Sequence, residues 1–378
     1  MEALPFIFGK TAETQNFTDR ETECKHLTQN FFSLVNTMII SPRRWGKSSL
    51  VKKVAQQIAS ENKEIRVCIL DIFKVRNEGE FYEYYAQSLI KATSNRLEDW
   101  IENAKVFLAH LLPKISFSPD NQTEISFSVG WEELRKKADE ILDLAENIAQ
   151  AKKIKIVVCI DEFQSIGSFD ESLAFQRKLR AHWQHHQNVA YCLYGSKRHM
   201  LLDIFSNPEM PFYKFGDIMF LDKIDNKTWG IFIQNRFLDT GKMITIDQAE
   251  HLASLVENHS YYVQQLAQQS WLRTQTECSL TIIEDSLQSI KNQLSLLFVG
   301  LVESLTSTQL YFLEAIINGE TVFGQENLNK YKLGTSANVI RIKNALLSKE
   351  IIDTSSKNIV FQDPVFKLWL KEEYFKMK

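Results

Sequence analysis

The stretch that most narrows what this chain can fold into runs from Met38 to Val51, MIISPRRWGKSSLV: a short apolar run, a loop ending in Gly46-Lys47-Ser48, and a helix-like continuation. Strand, loop and helix in that order, with glycine-lysine-serine at the helix start, is the pattern of a phosphate-binding loop. In such a loop, backbone N–H groups and the helix N-terminus point at a β-phosphate, a lysine reaches the β- and γ-phosphates, and a serine hydroxyl ligates Mg²⁺. Lys47 and Ser48 fit the last two roles, with Arg43, Arg44, Trp45, Gly46 and Ser49 around them. Ser41 stands where the pattern G-x-x-x-x-G-K-[ST] has its first glycine, and serine lacks glycine's freedom at positive φ.

Support comes from a second motif. Ile154 to Ile160 (IKIVVCI) is an apolar run short enough for a buried parallel strand, and Asp161-Glu162 follows it at once. Two carboxylates then stand at the carboxyl end of a strand, where ligands bind in open α/β sheets. Asp161 would hold Mg²⁺ and Glu162 would polarise the attacking water. Apolar runs ending in Asp-Glu are common by chance, so the pairing with the upstream loop is what gives this one weight.

Further strands are expected at Arg66 to Phe73, Val189 to Tyr194 and Met219 to Leu221, making five with the loop strand and the carboxylate strand. The order suits a sheet in which another strand lies between those two. Ser196, just past Tyr194 and Gly195, is placed to hydrogen-bond a γ-phosphate or the water. Helical spacing covers Ser49 to Ser60, Glu78 to Leu112, Trp131 to Gln150, Leu173 to His186 and Asp225 to Leu238. Ile115 to Val129 alternates around Pro119-Asp120-Asn121 and reads as an inserted hairpin. His182, His185 and His186 form a cluster that no acidic or cysteine ligand accompanies, so a solvated helix end is the better reading.

From Asp247 the pattern is all-helical: His251 to Glu257, Tyr261 to Thr274 and Leu280 to Leu305, with Tyr261-Tyr262 read as core. Helices at Thr308 to Ile317, Gln325 to Tyr331 and Thr335 to Lys349, then a two-stranded stretch from Ile351 to Phe361, make a winged-helix order. Its third helix would present Asn338, Arg341, Lys343 and Asn344 to DNA. From Gly300 onward, 10 Lys and Arg face 9 Asp and Glu, a weak balance for DNA, and a partner protein is as good a reading. The expected division is a core over 1–240 with the insertion at about 95–150, a helical lid over 241–304 and the winged helix over 305–378.

Composition removes other classes. A net charge of −3 argues against a general electrostatic grip on nucleic acid. The five cysteines are scattered and lack C-x-x-C spacing, which suits a reducing cytoplasm. No apolar run reaches the length of a membrane span.

Together these motifs resemble the archaeal-type P-loop ATPases, an AAA-related group of the STAND class found in archaea and bacteria. The resemblance spans nearly the whole chain and is carried by FTDRETECKHL, SPRRWGKSSL, VVCIDEFQSI, YGSKRHM, ENHSYYVQQLA and FQDPVFKLWL. It implies an α/β, AAA-like core with a five-stranded parallel sheet, a helical lid and a C-terminal winged helix. By resemblance, Phe17 and Arg20 lie beside the adenine of ATP and Ser196 acts as the first sensor. Catalysis falls to Lys47, Glu162 and Ser196, and Mg²⁺ to Ser48 and Asp161. An arginine finger from a partner or a second copy would complete the site, with Arg177, Arg180 and Arg198 as candidates. The chain departs from the group at Ser41, at Asp19 for the glycine of its entry motif and at Ser260 for a lid proline. The reading is a regulatory ATPase acting on DNA or a partner protein; the alternative is a non-hydrolysing DNA-binding regulator or scaffold with a degenerate loop.

Overall fold

Five apolar runs form one parallel sheet: β1 (Thr37–Ile40), β2 (Ile65–Asp71), β3 (Lys155–Asp161), β4 (Val189–Gly195) and β5 (Asp217–Phe220), in the order β2-β3-β4-β1-β5. The computed structural model describes residues 4–10, 17–94, 96–108, 118–119, 125–126, 137–355 and 358–377. Contacts divide the chain into two units. One comprises Arg20–Arg43 and Lys47–Leu221; the other comprises Met1–Asp19, Arg44–Gly46 and Asp222–Lys378.

The first unit is built on the sheet. Every residue of β1 and β4 is buried, as a central parallel strand requires. The expected intervening strand is β4, which pairs Gly195 with Ile40 of β1 and Leu193 with Ile160 of β3. Helix α1 (Glu21–Phe32) precedes β1, and α2 (Lys47–Glu61), α3 (Glu78–Ala92) and α4 (Leu97–Leu108) fall in stretches of expected helical spacing. The single run expected from Glu78 to Leu112 is interrupted, because the Thr93 and Ser94 hydroxyls bond back to the Leu89 and Ile90 carbonyls and end α3. Of the expected hairpin, Ser118–Pro119 pairs antiparallel with Ile125–Ser126; its other residues lie outside the described ones, as do residues 131–136 of the helix expected from Trp131. That helix emerges as α5 (Ala138–Leu142) and α6 (Leu144–Lys152), followed by α7 (Ser172–Trp183) and α8 (Arg198–Ser206). Trp183 stacks on Tyr191 at 4.0 Å between centroids, and each such buried ring is worth about 2–3 kcal/mol in area alone.

The second unit is helical: α9 (Asn226–Leu238), α10 (Ile246–Leu255), α11 (Ser260–Arg273) and α12 (Leu280–Glu303). Caps set their starts. Asp225 accepts from Thr228 N, Ser279 from Ile282 N, and Thr245 with Gln248 forms a capping box that begins α10 five residues before the expected position. Ser260, where the related group carries proline, is the first residue of α11, a position whose N–H has no intrahelical partner. The N-terminal segment packs here as well. Phe6 sits between Phe232 and Phe237, and Gln268 donates to its carbonyl at 2.9 Å.

The winged helix has the expected order: α13 (Ser307–Ile317), α14 (Gln325–Lys330), α15 (Ser336–Ser348), then β6 (Ile352–Ser355) paired antiparallel with β7 (Asn358–Phe361). It closes with α16 (Pro364–Trp369), whose aromatic residues pack on α12 through Phe298 against Phe366 and Trp369 at 5.2 and 5.7 Å. Among the described residues, no helix is long and apolar enough to cross a membrane.

Asp363 holds this end together. Its Oδ1 caps α16 by accepting from Val365 N and Phe366 N at 2.9 Å each, and its Oδ2 accepts from the Tyr262 hydroxyl of α11 at 2.6 Å. Asp363→Ala removes the cap and orphans a buried hydroxyl, so it should destabilise the protein by about 2–3 kcal/mol in chemical denaturation. Tyr262→Phe, which keeps the cap, should cost less than half as much.

Candidate functional site

Each motif lies at the carboxyl edge of the sheet, because each follows a strand. The phosphate loop follows β1, Asp161 ends β3 with Glu162 next, and Ser196 follows β4. Lys47 is 6% exposed, and its ammonium donates to Ser41 O at 3.1 Å, Ser41 Oγ at 3.2 Å and Pro42 O at 2.8 Å. Ser48 Oγ donates to Asp161 Oδ2 at 2.6 Å, and Glu162 N donates to Asp161 Oδ1 at 2.9 Å.

Burial pushes the Asp161 carboxyl up to about 6; the Ser48 hydrogen bond opposes the rise, and the like charges of Glu162 and Asp71 add to it. Asp71 is the in-register neighbour of Asp161 on β2, a proximity only strand pairing creates. A half-buried carboxylate crowded by two others and touching a serine hydroxyl suits Mg²⁺, which takes one or two protein oxygens and leaves its other positions to phosphate and water. No group of three or more His, Cys, Asp and Glu side chains is arranged for a metal among the described residues.

Glu162 has φ 56°, a left-handed conformation costly for a residue with a side chain. Its Oε2 accepts from Ser196 Oγ at 2.9 Å, from Ser196 N at 3.3 Å and from Gln164 Nε2. In the sequence Gln164 stands only as part of the run VVCIDEFQSI, and no spacing rule marks it.

Left-handed backbone in the loop falls at Arg44 (φ 65°) and Gly46 (φ 93°), whereas Ser41 does not have positive φ. The missing first glycine therefore imposes no strain at its own position. Asp19 does adopt the left-handed conformation (φ 60°), which aspartate tolerates better than most residues.

In the second unit, the Arg44 guanidinium lies 4.3 Å from the Tyr261 ring centroid and the Lys223 ammonium 5.9 Å from that of Trp45. Tyr261, read as core, is half-buried and carries this contact. Glu257 bridges Lys367 at 2.7 Å and Lys223 at 3.5 Å. Of the remaining candidates, Phe17 is half-buried, Arg43 is exposed and Ser49 is buried in α2. Arg20 is 4% exposed and pairs with Glu23 at 2.7 Å. Arg180 stacks over Phe215 at 4.7 Å, Arg177 is exposed on α7 and Arg198 is half-buried at the start of α8.

On α15, Asn338, Arg341 and Asn344 recur at three-residue spacing along one face, and Arg341 donates to Asn338 Oδ1 at 2.8 Å. Lys343 is half-buried and off that face. The histidine cluster is not a solvated helix end, since the His186 side chain is only 4% exposed. Acidic partners do accompany it, since the Asp143 Oδ1 lies 2.8 Å from His182 Nδ1 and 3.2 Å from His186 Nε2. Asp143 comes from the turn between α5 and α6, too far away in sequence to be read as a neighbour.

A family described as "Probable winged helix domain" matches residues 296–372. The Walker-type ATPase PABY2304 of Pyrococcus abyssi is similar in structure at TM-score 0.65 and 17% identity, over 97% of this chain and 99% of that one. The fold is that of the P-loop ATPases. The Aeropyrum pernix ORC2 protein, solved as ADPNP–ADP complexes, is similar at TM-score 0.57 and 13% identity, over 92% of this chain and 90% of that one. The Aeropyrum pernix ORC1 protein in complex with DNA reaches TM-score 0.50 at 10% identity, over 96% and 94% of the two chains. No curated protein matches the sequence significantly. The P-loop ATPase fold and its winged helix thus agree with the architecture expected from the motifs.

His259, which precedes α11, is 5% exposed, and burial holds its pKa down to about 4, helped by the Lys223 and Arg44 charges and opposed by Glu257. It is neutral when folded and regains an ordinary pKa near 6.5 on unfolding, so the unfolded chain binds more protons below that pH. Stability should therefore fall between about pH 6.5 and 4, by on the order of 3 kcal/mol. Urea titrations across that range should show the slope, and His259→Gln should flatten it.

Proposed function

We propose that this chain is a cytoplasmic Mg²⁺-dependent ATPase of the STAND type, whose nucleotide state sets the arrangement of its helical lid and winged helix and so controls an action on DNA or a partner protein. The observation that carries the reading is the 2.6 Å hydrogen bond from Ser48 Oγ to Asp161 Oδ2, which joins the loop's hydroxyl to the strand-end carboxylate. Ser48 and Asp161 would hold Mg²⁺, which would supply positive charge to neutralise what develops on the transferred group.

Phosphoryl transfer needs positioning and charge more than covalent chemistry. Lys47, whose ammonium bonds to oxygens of Ser41 and Pro42, would exchange them for β- and γ-phosphate oxygens. The N–H groups from Arg43 to Ser49 would cradle the phosphates, with Gly46 supplying the positive φ. Glu162 would accept a hydrogen bond from the attacking water and align it, and Ser196 holds Glu162 at 2.9 Å. Phe17 and Arg20 would flank the adenine. An arginine from a neighbouring copy would complete the charge, making the isolated chain slow; Arg177 suits that role better than Arg180, which stacks on Phe215.

The ordinary backbone at Ser41 weighs against a decayed loop. A thermal melt with and without Mg-ATP separates the two readings: ATP at 100 times its dissociation constant should add about 2.7 kcal/mol, and no gain at millimolar ATP would favour the scaffold. Lys47→Ala should lose this gain. Glu162→Gln should keep the gain and lose hydrolysis; hydrolysis at the parent rate would remove Glu162 from its role.

For the winged helix, the Asn338, Arg341 and Asn344 face and the structural likeness to the DNA-bound ORC1 protein favour DNA. Arg341→Ala with Asn344→Ala should weaken duplex binding by roughly tenfold or more in a salt-dependent mobility shift. Unchanged binding would move the reading to a partner protein.

A further inference from the structure

We propose that Gln164 is a positioning residue for Glu162, an inference that rests on the ATPase reading above. The Glu162 Oε2 accepts three donors: Ser196 Oγ at 2.9 Å, Ser196 N at 3.3 Å and the Gln164 amide nitrogen. A carboxylate held through one oxygen by donors from two sides keeps a fixed plane, and Oε1 is then the oxygen turned to the attacking water. Ser196 alone would leave the carboxylate free to swing about a single anchor.

Two observations say that the amide is there for this purpose and not as filler. Gln164 is 3% exposed, and its Oε1 has no hydrogen-bond partner among the described residues. A buried orphan carbonyl lowers stability, and a leucine or methionine of similar size would carry no such cost. What the amide does at its other end, donating to Glu162, accounts for it. The surrounding backbone is also cut to receive it. A Cβ on Gly195 would stand 1.8 Å from Gln164 Oε1 and 3.2 Å from Glu162 Cα, so the amide occupies the space that glycine leaves at the end of β4. The left-handed φ of Glu162 fits the same picture, since a strained residue persists where its neighbours over-determine it.

Gln164 touches neither phosphate nor water in this account; it acts through Glu162. Misplacing an aligned water lowers the rate of the chemical step while nucleotide binding, made by the loop, stays as it was.

The test uses the full chain with Mg-ATP under single-turnover conditions, with affinity measured separately using a non-hydrolysable ATP analogue. Gln164→Leu should lower the hydrolysis rate roughly ten- to a hundredfold. Its analogue affinity should stay within about twofold of the parent, and its melting temperature should be equal or higher, because the orphan oxygen is gone. Gly195→Ala, which displaces the amide, should reproduce the rate loss. An active parent with Gln164→Leu at the same rate overturns the positioning role and leaves the ATPase reading intact. A rate loss matched by loss of affinity and melting temperature also overturns it, in favour of a structural role. A parent that binds the analogue and never hydrolyses ATP overturns the ATPase reading, and this inference with it.

Discussion

The candidate site depends on one constraint: β4, buried along its whole length, lies between β1 and β3 in a parallel sheet. Parallel pairing aligns the carboxyl ends of the three strands, so the loop after β1, the carboxylates after β3 and Ser196 after β4 come to one edge. The register does the rest. Ile40 opposite Gly195 and Ile160 opposite Leu193 put Ser196 within hydrogen-bond reach of Glu162. A slip of one residue would turn every side chain to the other face and separate them.

That edge is held against several local preferences. Asp161 is a carboxylate that burial and two neighbouring charges push towards its neutral form. Glu162 holds left-handed backbone without being glycine. Gln164 buries a carbonyl without a partner. Each feature lowers stability at a point where the proposed chemistry needs a charge, a turn or a fixed donor, and the apolar interior of the sheet, from Ile156 to Ile160 and from Val189 to Leu193, offsets them.

The second unit relies on polar groups placed inside an aromatic framework. Tyr262 and Asp363 join α11 to α16, Lys291 pairs with Glu372 between α12 and the chain end, and Glu257 takes Lys223 and Lys367 together. Side-chain amides of Gln264 and Gln268 tie down the backbone of Ile7 and Phe6, so a short N-terminal segment is held by side chains alone. Such groups are costly singly and specific together, because each buried donor has one place where it is satisfied.

Local chemistry alone determined much of this protein. Apolar run lengths placed all five core strands, Gly46-Lys47-Ser48 and Asp161-Glu162 marked the edge where they end, and the order of three helices and a hairpin placed the winged helix. Those features are written in neighbouring residues, where periodicity, caps and φ requirements act over a turn or a strand. Tertiary structure alone decided the partners: Asp71 beside Asp161, Gln164 on Glu162, Arg44 over Tyr261, Asp143 between His182 and His186, and Phe6 among Phe232 and Phe237. It also decided that Ser41 carries no left-handed strain while Arg44 does. The physical reason is common to all of them. A side chain's type limits what it can bond, but which of many equivalent donors and acceptors it meets depends on strand register and helix packing, and these emerge only when the whole sheet and its helices are buried together.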